Sequence, residues 1–427
     1  MRGLLAALLV VASFAAEAHT LSDPFTVPSQ REREERRAIE ADSAGDAAKA
    51  TDLALRRSLY FRALGAYGVG ARLAVWAASH SDGAARPNAL LEAAYLYTMD
   101  GDTAHSRSTT DQAAALIGID DALARARLAI QRARLTNDEA AVQTLPAFTR
   151  DDAPPDVRFV AATALSVALS NLKRYDAARE MSDLCWALHE TVDAALPEHL
   201  ACLQQRLFVL HTLDVDGRET ERAAIALAAW TDARVGAGTP ALVLTLVNYC
   251  NLSFPEDADY ARSERACERA QQLLDHPDIA GRRSLYAYPL ALGHGMAIQN
   301  QGRAKDALPY LSQALTLATL AKKDEDIRNA LVNFGWAQFQ AGDAEAAKRL
   351  LERLPREAPN SPYTMPALLS LGDIACNAGL YDEARLRFGT GKALAVKIEG
   401  DTSPRQRHFV QRLKMLDGVG DERCNKP

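Results

Sequence analysis

The tightest constraint on this chain is a set of small residues that recurs at matched offsets in its C-terminal half. Gly302, Gly342 and Gly379 each stand in a short polar break. Seven residues before each is another glycine: Gly295, Gly335 and Gly372. Five residues after each is an alanine, Ala307, Ala347 or Ala384, and four further on is a large apolar side chain, Leu311, Leu351 or Phe388. Small residues let two antiparallel helices approach closely. A glycine just past a helix end takes the left-handed conformation that closes the helix. The large residue then fills the space between neighbouring pairs. A period of roughly 40 residues is the spacing of a helix-pair array.

The rest of the chain carries the same kind of pattern more faintly. Apolar residues recur at helical spacing, and polar breaks fall near Gly101, Asn137, Pro154-Pro155, Lys173, Gly217, Pro255 and Gly281. Alanine and arginine, both good helix formers, are abundant. Arg31 to Glu40 is dense in charge, with opposite signs three and four apart, and reads as a solvated helix face.

The segments 295–315, 335–355 and 372–394, with a weaker copy at 166–185 in which Lys173 replaces the turn glycine, resemble the tetratricopeptide repeat family. Fainter copies run over 93–106 and 247–266. The period is longer than the family's usual ~34 residues, and the closing proline of the repeat is absent after Leu394. The resemblance implies an all-α, right-handed superhelical solenoid of antiparallel helix pairs, about eight or nine of them. The expected organisation is a targeting segment over 1–18 and a lead-in with a charged helix over 19–50. Divergent helix pairs follow over 51–282, clear repeats over 283–400, and a polar capping helix and tail over 401–427.

The first eighteen residues have a basic start at Arg2, an apolar stretch from Leu4 to Phe14 and a small-x-small site at Ala16-Glu17-Ala18. That is an export signal, with cleavage expected between Ala18 and His19. No later stretch approaches the ~20 apolar residues of a membrane span. Export places the mature chain in the periplasm or outside the cell. There the six cysteines, Cys185, Cys202, Cys250, Cys267, Cys376 and Cys424, are candidates for disulfides. Six cysteines allow fifteen pairings, of which neighbour pairing is the simplest. No C-x-x-C occurs, so neither a thioredoxin-like site nor a paired-cysteine zinc site is expected.

Catalytic motifs break down on inspection. His189-Glu190 opens an H-E-x-x-H in which Asp193 stands where the second histidine belongs, and Glu198-His199 closes an inverted motif in which Ala195 stands in its place. Gly389-Thr390-Gly391-Lys392 lacks the leading glycine and the hydroxyl residue of a phosphate loop, so it reads as a helix packed through small residues. Asp214-Val215-Asp216-Gly217 is shorter than a calcium loop, and Asn251-Leu252-Ser253 fits a glycosylation sequon. The net charge of −6 argues against nucleic acid as a partner. Aromatic residues are only 6% of the chain, which argues against a sugar-processing cleft. No catalytic residue, cofactor or metal is expected.

The resemblance places the first helix of each pair on the inner face. Residues six, three and two before the turn glycine then form the candidate binding surface: Met296, Gln299 and Asn300; Trp336, Phe339 and Gln340; Asp373, Cys376 and Asn377. Asn248 and Asn333 lie near the same face. Amide side chains both donate and accept, which suits the backbone of an extended peptide, and Trp336 is a natural anchor. The lysine-and-asparagine clamp by which some relatives hold a terminal carboxylate is not apparent. The expected function is a protein- or peptide-binding scaffold of unspecified partner. The alternatives are a lyase or glycosidase on a helical toroid, marked by a closed pocket with facing carboxylates, or a secreted effector.

Overall fold

The chain folds as the glycine spacing predicts, into antiparallel helix pairs. The computed structural model describes residues 22–83, 85–213, 218–235, 242–251, 259–400 and 404–417, among which there is no β-strand. The export signal, the Asp214–Gly217 loop, residues 252 and 253 of the sequon, and Cys424 lie outside the described residues. The molecule divides into two units, residues 1–258 with 269–285, and residues 259–268 with 286–427.

The first unit opens with α1 (Pro28–Ser43). Five pairs follow: α2 (Ala47–Leu64) with α3 (Tyr67–Ser79), α4 (Ala85–Asp100) with α5 (Thr103–Ala114), α6 (Ala122–Thr136) with α7 (Asp138–Thr144), α8 (Pro155–Asn171) with α9 (Tyr175–Leu188), and α10 (Leu196–Leu213) with α11 (Arg218–Val235). α12 (Val243–Cys250) comes next. Side-chain caps start several of these helices: Asp102 accepts from the His105 amide and Asp121 from the Ala124 amide. α13 (Tyr260–Leu273) is divided between the units at Glu268. The second unit holds α14 (Arg283–Asn300) from Tyr286 onward, paired with α15 (Ala304–Leu320), then α16 (Asp324–Gln340) with α17 (Ala344–Leu351), the short α18 (Arg353–Glu357), α19 (Thr364–Asn377) with α20 (Tyr381–Glu399), and α21 (Pro404–Leu416).

The offsets read from the sequence have direct structural meaning. Gly302, Gly342 and Gly379 all have positive φ, at 76°, 96° and 76°. A Cβ at Gly295 would stand 2.6 Å from Leu311, one at Gly335 would stand 2.6 Å from Leu351, and one at Gly372 would stand 2.2 Å from Phe388. The same contact recurs one helix on, where Gly391 faces Phe409 of α21. Gly391 therefore belongs to helix packing, and Gly389 lies inside the same helix, not in a phosphate loop. The last helix is more than a polar cap, because Phe409 and Leu416 are buried in the core beneath it.

The first unit uses the same register with different volumes. Gly65, Gly101 and Lys173 take the left-handed turn position. Seven before and five after them stand Ser58 and Gly70, Ala94 and Ser106, and Ser166 and Ala178. In each case the serine hydroxyl donates to the facing carbonyl: Ser58 to Gly70, Ser106 to Ala94 and Ser166 to Ala178, at 2.8–2.9 Å. The plug positions are correspondingly small, at Ala74, Thr110 and Ser182, all buried. Interior packing is dense, so a glycine faces a Leu or Phe, whereas a serine faces a smaller group.

The charged helix α1 is not a solvated face. Arg31 is 4% exposed, and Glu32 and Glu35 are buried with it. Arg31 pairs with Glu35 and with Asp278, each at 2.9 Å, Arg57 holds Glu35 at 2.8 Å, and Tyr60 donates to Asp278 at 2.8 Å. Buried ions need partners, and one of the partners here, Asp278, comes from more than two hundred residues away. Arg282 also donates to the Gly65 carbonyl at 2.7 Å. With α2 touching α10 as well, the helices of the first unit close on themselves. Within it a disulfide joins Cys185 of α9 to Cys202 of α10. Cys250, Cys267 and Cys376 are disulfide-bonded too.

Candidate functional site

In the second unit the first helices of successive pairs stand side by side. Gln299 of α14 donates through Nε2 to Oε1 of Gln340 of α16 at 2.7 Å. The rings of Trp336 and Phe339 lie 5.5 Å apart. Of the residues singled out from sequence, Asn300 and Asn377 are exposed, while Met296, Asn333, Trp336 and Gln340 are half-buried. Asn333 donates to the Asn329 carbonyl one turn back. Gln299 is only 5% exposed, and Phe339 and Cys376 are core residues. Asp373 is buried against Arg412 of α21, 2.9 Å away. Asn248 is half-buried on α12 in the first unit.

The second unit also gathers Glu264, Glu268 and His294, whose candidate metal-ligand atoms lie within 4.8 Å of one another. Glu264 already accepts from Arg303 and Gln301. Burial holds the His294 imidazole below its ordinary pKa.

The first unit contains a site that the sequence reading missed. The first helices of its five pairs, α2, α4, α6, α8 and α10, surround a cavity of about 200 Å³. Its walls are partly apolar, from Leu55, Leu59, Leu91, Ile130, Phe159 and Val160. Set among them are Arg62, Glu92, Tyr95, Arg127, Gln131, Arg134 and Glu198. Arg62 pairs with Glu92 at 2.7 Å, and Arg127 pairs with Glu198 at 2.9 Å. The guanidiniums of Arg62 and Arg134 both lie over the Tyr95 ring, 4.2 and 4.5 Å from its centre.

These two arginines respond oppositely to confinement. Burial works against the Arg62 charge, but Glu92, Tyr95 and Glu198 more than offset it, and its pKa rises. Arg134 is exposed to the cavity, yet desolvation and the Arg62 charge beside it outweigh Tyr95 and the glutamates, so its pKa falls below the ordinary range.

The polar stripe had a sequence signal. Glu92 and Tyr95 stand three apart, and Arg127, Gln131 and Arg134 stand four and three apart, each set on one helix face. Such stripes normally face water. Only closure of the unit turns them inward.

Pairs in one register, a ladder of first-helix side chains and a cavity lined by apolar and charged groups define a helical-repeat scaffold. Residues 288–354 match the tetratricopeptide repeat family. No curated protein matches it. Among solved structures it is similar to a tetratricopeptide repeat protein from Parabacteroides merdae ATCC 43184, at 12% identity over 78% of this chain and 99% of that one, with a TM-score of 0.42. It is also similar to the Rap protein complexed with competence and sporulation factor (12% identity, 78% and 97% covered, TM-score 0.39) and to the TPR domain of P58(IPK) (13% identity, 90% and 97% covered, TM-score 0.27). Likenesses this loose say nothing of what the chain binds.

Proposed function

We infer that the protein is a non-enzymatic scaffold that holds an extended peptide or protein segment against the first helices of its C-terminal repeats, in the periplasm or outside the cell. The observation that carries this reading is the contact between Gln299 and Gln340. It makes α14 and α16 neighbours, so Met296, Asn300, Asn333, Trp336 and Gln340 form one surface of amides around an aromatic anchor. Amides can pair with a peptide backbone in either sense, and a half-buried tryptophan is the side chain best suited to hold an apolar residue. The basic, apolar and small-x-small order of residues 2–18 and the Cys185–Cys202 disulfide support an oxidising compartment.

Gln299 is buried against Gln340, so replacing it would disturb packing as well as binding. The test is therefore Trp336→Ala with Asn300→Ala. Chemical cross-linking in periplasmic extract, read by mass spectrometry, should show captured species that this variant loses while its helical circular dichroism is unchanged. An identical capture profile from the variant would reject this face.

A further inference from the structure

The cavity of the first unit carries an unbalanced set of polar groups. Three arginines, Arg62, Arg127 and Arg134, stand against two glutamates, Glu92 and Glu198. Each glutamate is matched by one arginine, which leaves one positive charge over. That charge sits on Arg134, which among the described residues donates no hydrogen bond and contacts only the face of Tyr95. Arg62 lies over the same ring, so two like charges are held against one aromatic side chain. An anion at Arg134 would relieve both conditions through charge-assisted hydrogen bonds.

Two acceptors are also left over. Glu92 Oε1 and Gln131 Oε1 are buried without a hydrogen-bond partner. Gln131 is 2% exposed, and its Nε2 is already committed to Ala94, Thr98 and Ser106. Buried acceptors without donors are costly. A volume of about 200 Å³ is far above the roughly 10–15 Å³ that one water needs on this measure. The remaining wall is mostly apolar, with Asn88, which accepts from Arg127, and Thr163, which donates to the Phe159 carbonyl.

We propose that this cavity is a binding site for a small organic monocarboxylate that carries a hydrogen-bond donor and a short apolar body. The carboxylate sits on Arg134, with the Tyr95 ring fixing the guanidinium plane. A hydroxyl or amide N–H of the ligand donates to Glu92 or Gln131. The apolar body lies against Leu59, Leu91 and Phe159. A single negative charge matches the single excess positive charge, whereas a phosphate dianion would exceed it and meet the two glutamates. The site is independent of the peptide surface on the C-terminal repeats.

The experiment is calorimetric titration of the protein with 2-hydroxy-4-methylpentanoate. The comparison ligands are 4-methylpentanoate, which lacks the donor, 4-methylpentanamide, which lacks the charge, and an acetylated pentapeptide ending in leucine. The hydroxy acid should bind saturably, the plain acid several-fold more weakly, and the amide not at all. Arg134→Gln should weaken the hydroxy acid at least tenfold. Arg134 is exposed and makes no hydrogen bond, so the variant should keep its circular dichroism, and Arg134→Lys should retain part of the affinity. No binding by either acid, or equal affinity in Arg134→Gln, would overturn the proposal. Tighter binding of the pentapeptide than of the hydroxy acid would also overturn it, by making the carboxylate that of a chain end.

Discussion

Gly372 of α19 lies so close to Phe388 of α20 that a Cβ at position 372 would stand 2.2 Å from the ring. The ring is fully buried in the core. Gly372→Ala should therefore destabilise the protein by about 1–3 kcal/mol through overpacking. Gly389, in the same α20, has open space where its Cβ would be. Gly389→Ala should instead stabilise by about 0.5–1 kcal/mol, because alanine loses less backbone entropy in a helix. Urea midpoints of the two variants should move in opposite directions, and a shared direction would contradict the packing account.

Lys173 occupies the turn position that glycine fills in the C-terminal repeats, with φ at 62°. A side chain in the left-handed region costs roughly 1–2 kcal/mol. Lys173→Gly should raise stability by about 1 kcal/mol, seen as a higher urea midpoint at unchanged slope. A loss of stability would show that the lysine side chain contributes more than its backbone costs.

The Cys185–Cys202 bridge closes a loop of sequence separation 17 between α9 and α10. For a loop of that size, the stabilisation lost on removing the bridge is about 3 kcal/mol. A Cys185→Ala, Cys202→Ala double variant should melt several degrees lower than the oxidised parent. Reductant should lower the parent's melting temperature but leave the melt of the variant less affected.

His294 gives a pH dependence whose sign follows from burial. Burial lowers its folded-state pKa from 6.5, Glu264 and Glu268 pull it back up, and Arg303 pushes it down. As the pH falls through about 6.5, the unfolded chain takes up this proton before the folded chain does. The unfolded state then binds more protons, so stability falls with falling pH across that window. His294→Gln should flatten this part of the melting-temperature curve between pH 7.5 and 5. An unchanged slope would assign it to another group.

The fold was legible because helix-pair packing is written in local steric terms. Gly295, Gly335 and Gly372 pair with Leu311, Leu351 and Phe388 at a constant offset, and a constant offset between small and large residues has one geometric meaning. The first unit was harder to read. There Ser58, Ser106 and Ser166 stand at positions that glycine or alanine fill elsewhere, and their hydroxyls bond to facing carbonyls, which residue size alone does not foretell. Of the candidate surface, the positions on the first helices were legible, but their burial was not. Gln299 is occupied by Gln340 and Asp373 by Arg412, because each neighbour arrives from another helix.

What the sequence determined by itself is the unit of construction: helix, left-handed turn, helix, with a small residue where the two rods cross. Those relations span fewer than twenty residues and depend only on volume and backbone freedom. Tertiary structure decided where charge is buried. Arg31, Glu35 and Asp278, or Arg62, Tyr95 and Arg134, stand on helix faces that are indistinguishable in sequence from solvated ones. Only closure of the first unit, with α2 against α10 and Asp278 against Arg31, takes those faces out of water and turns a charged stripe into a cavity wall.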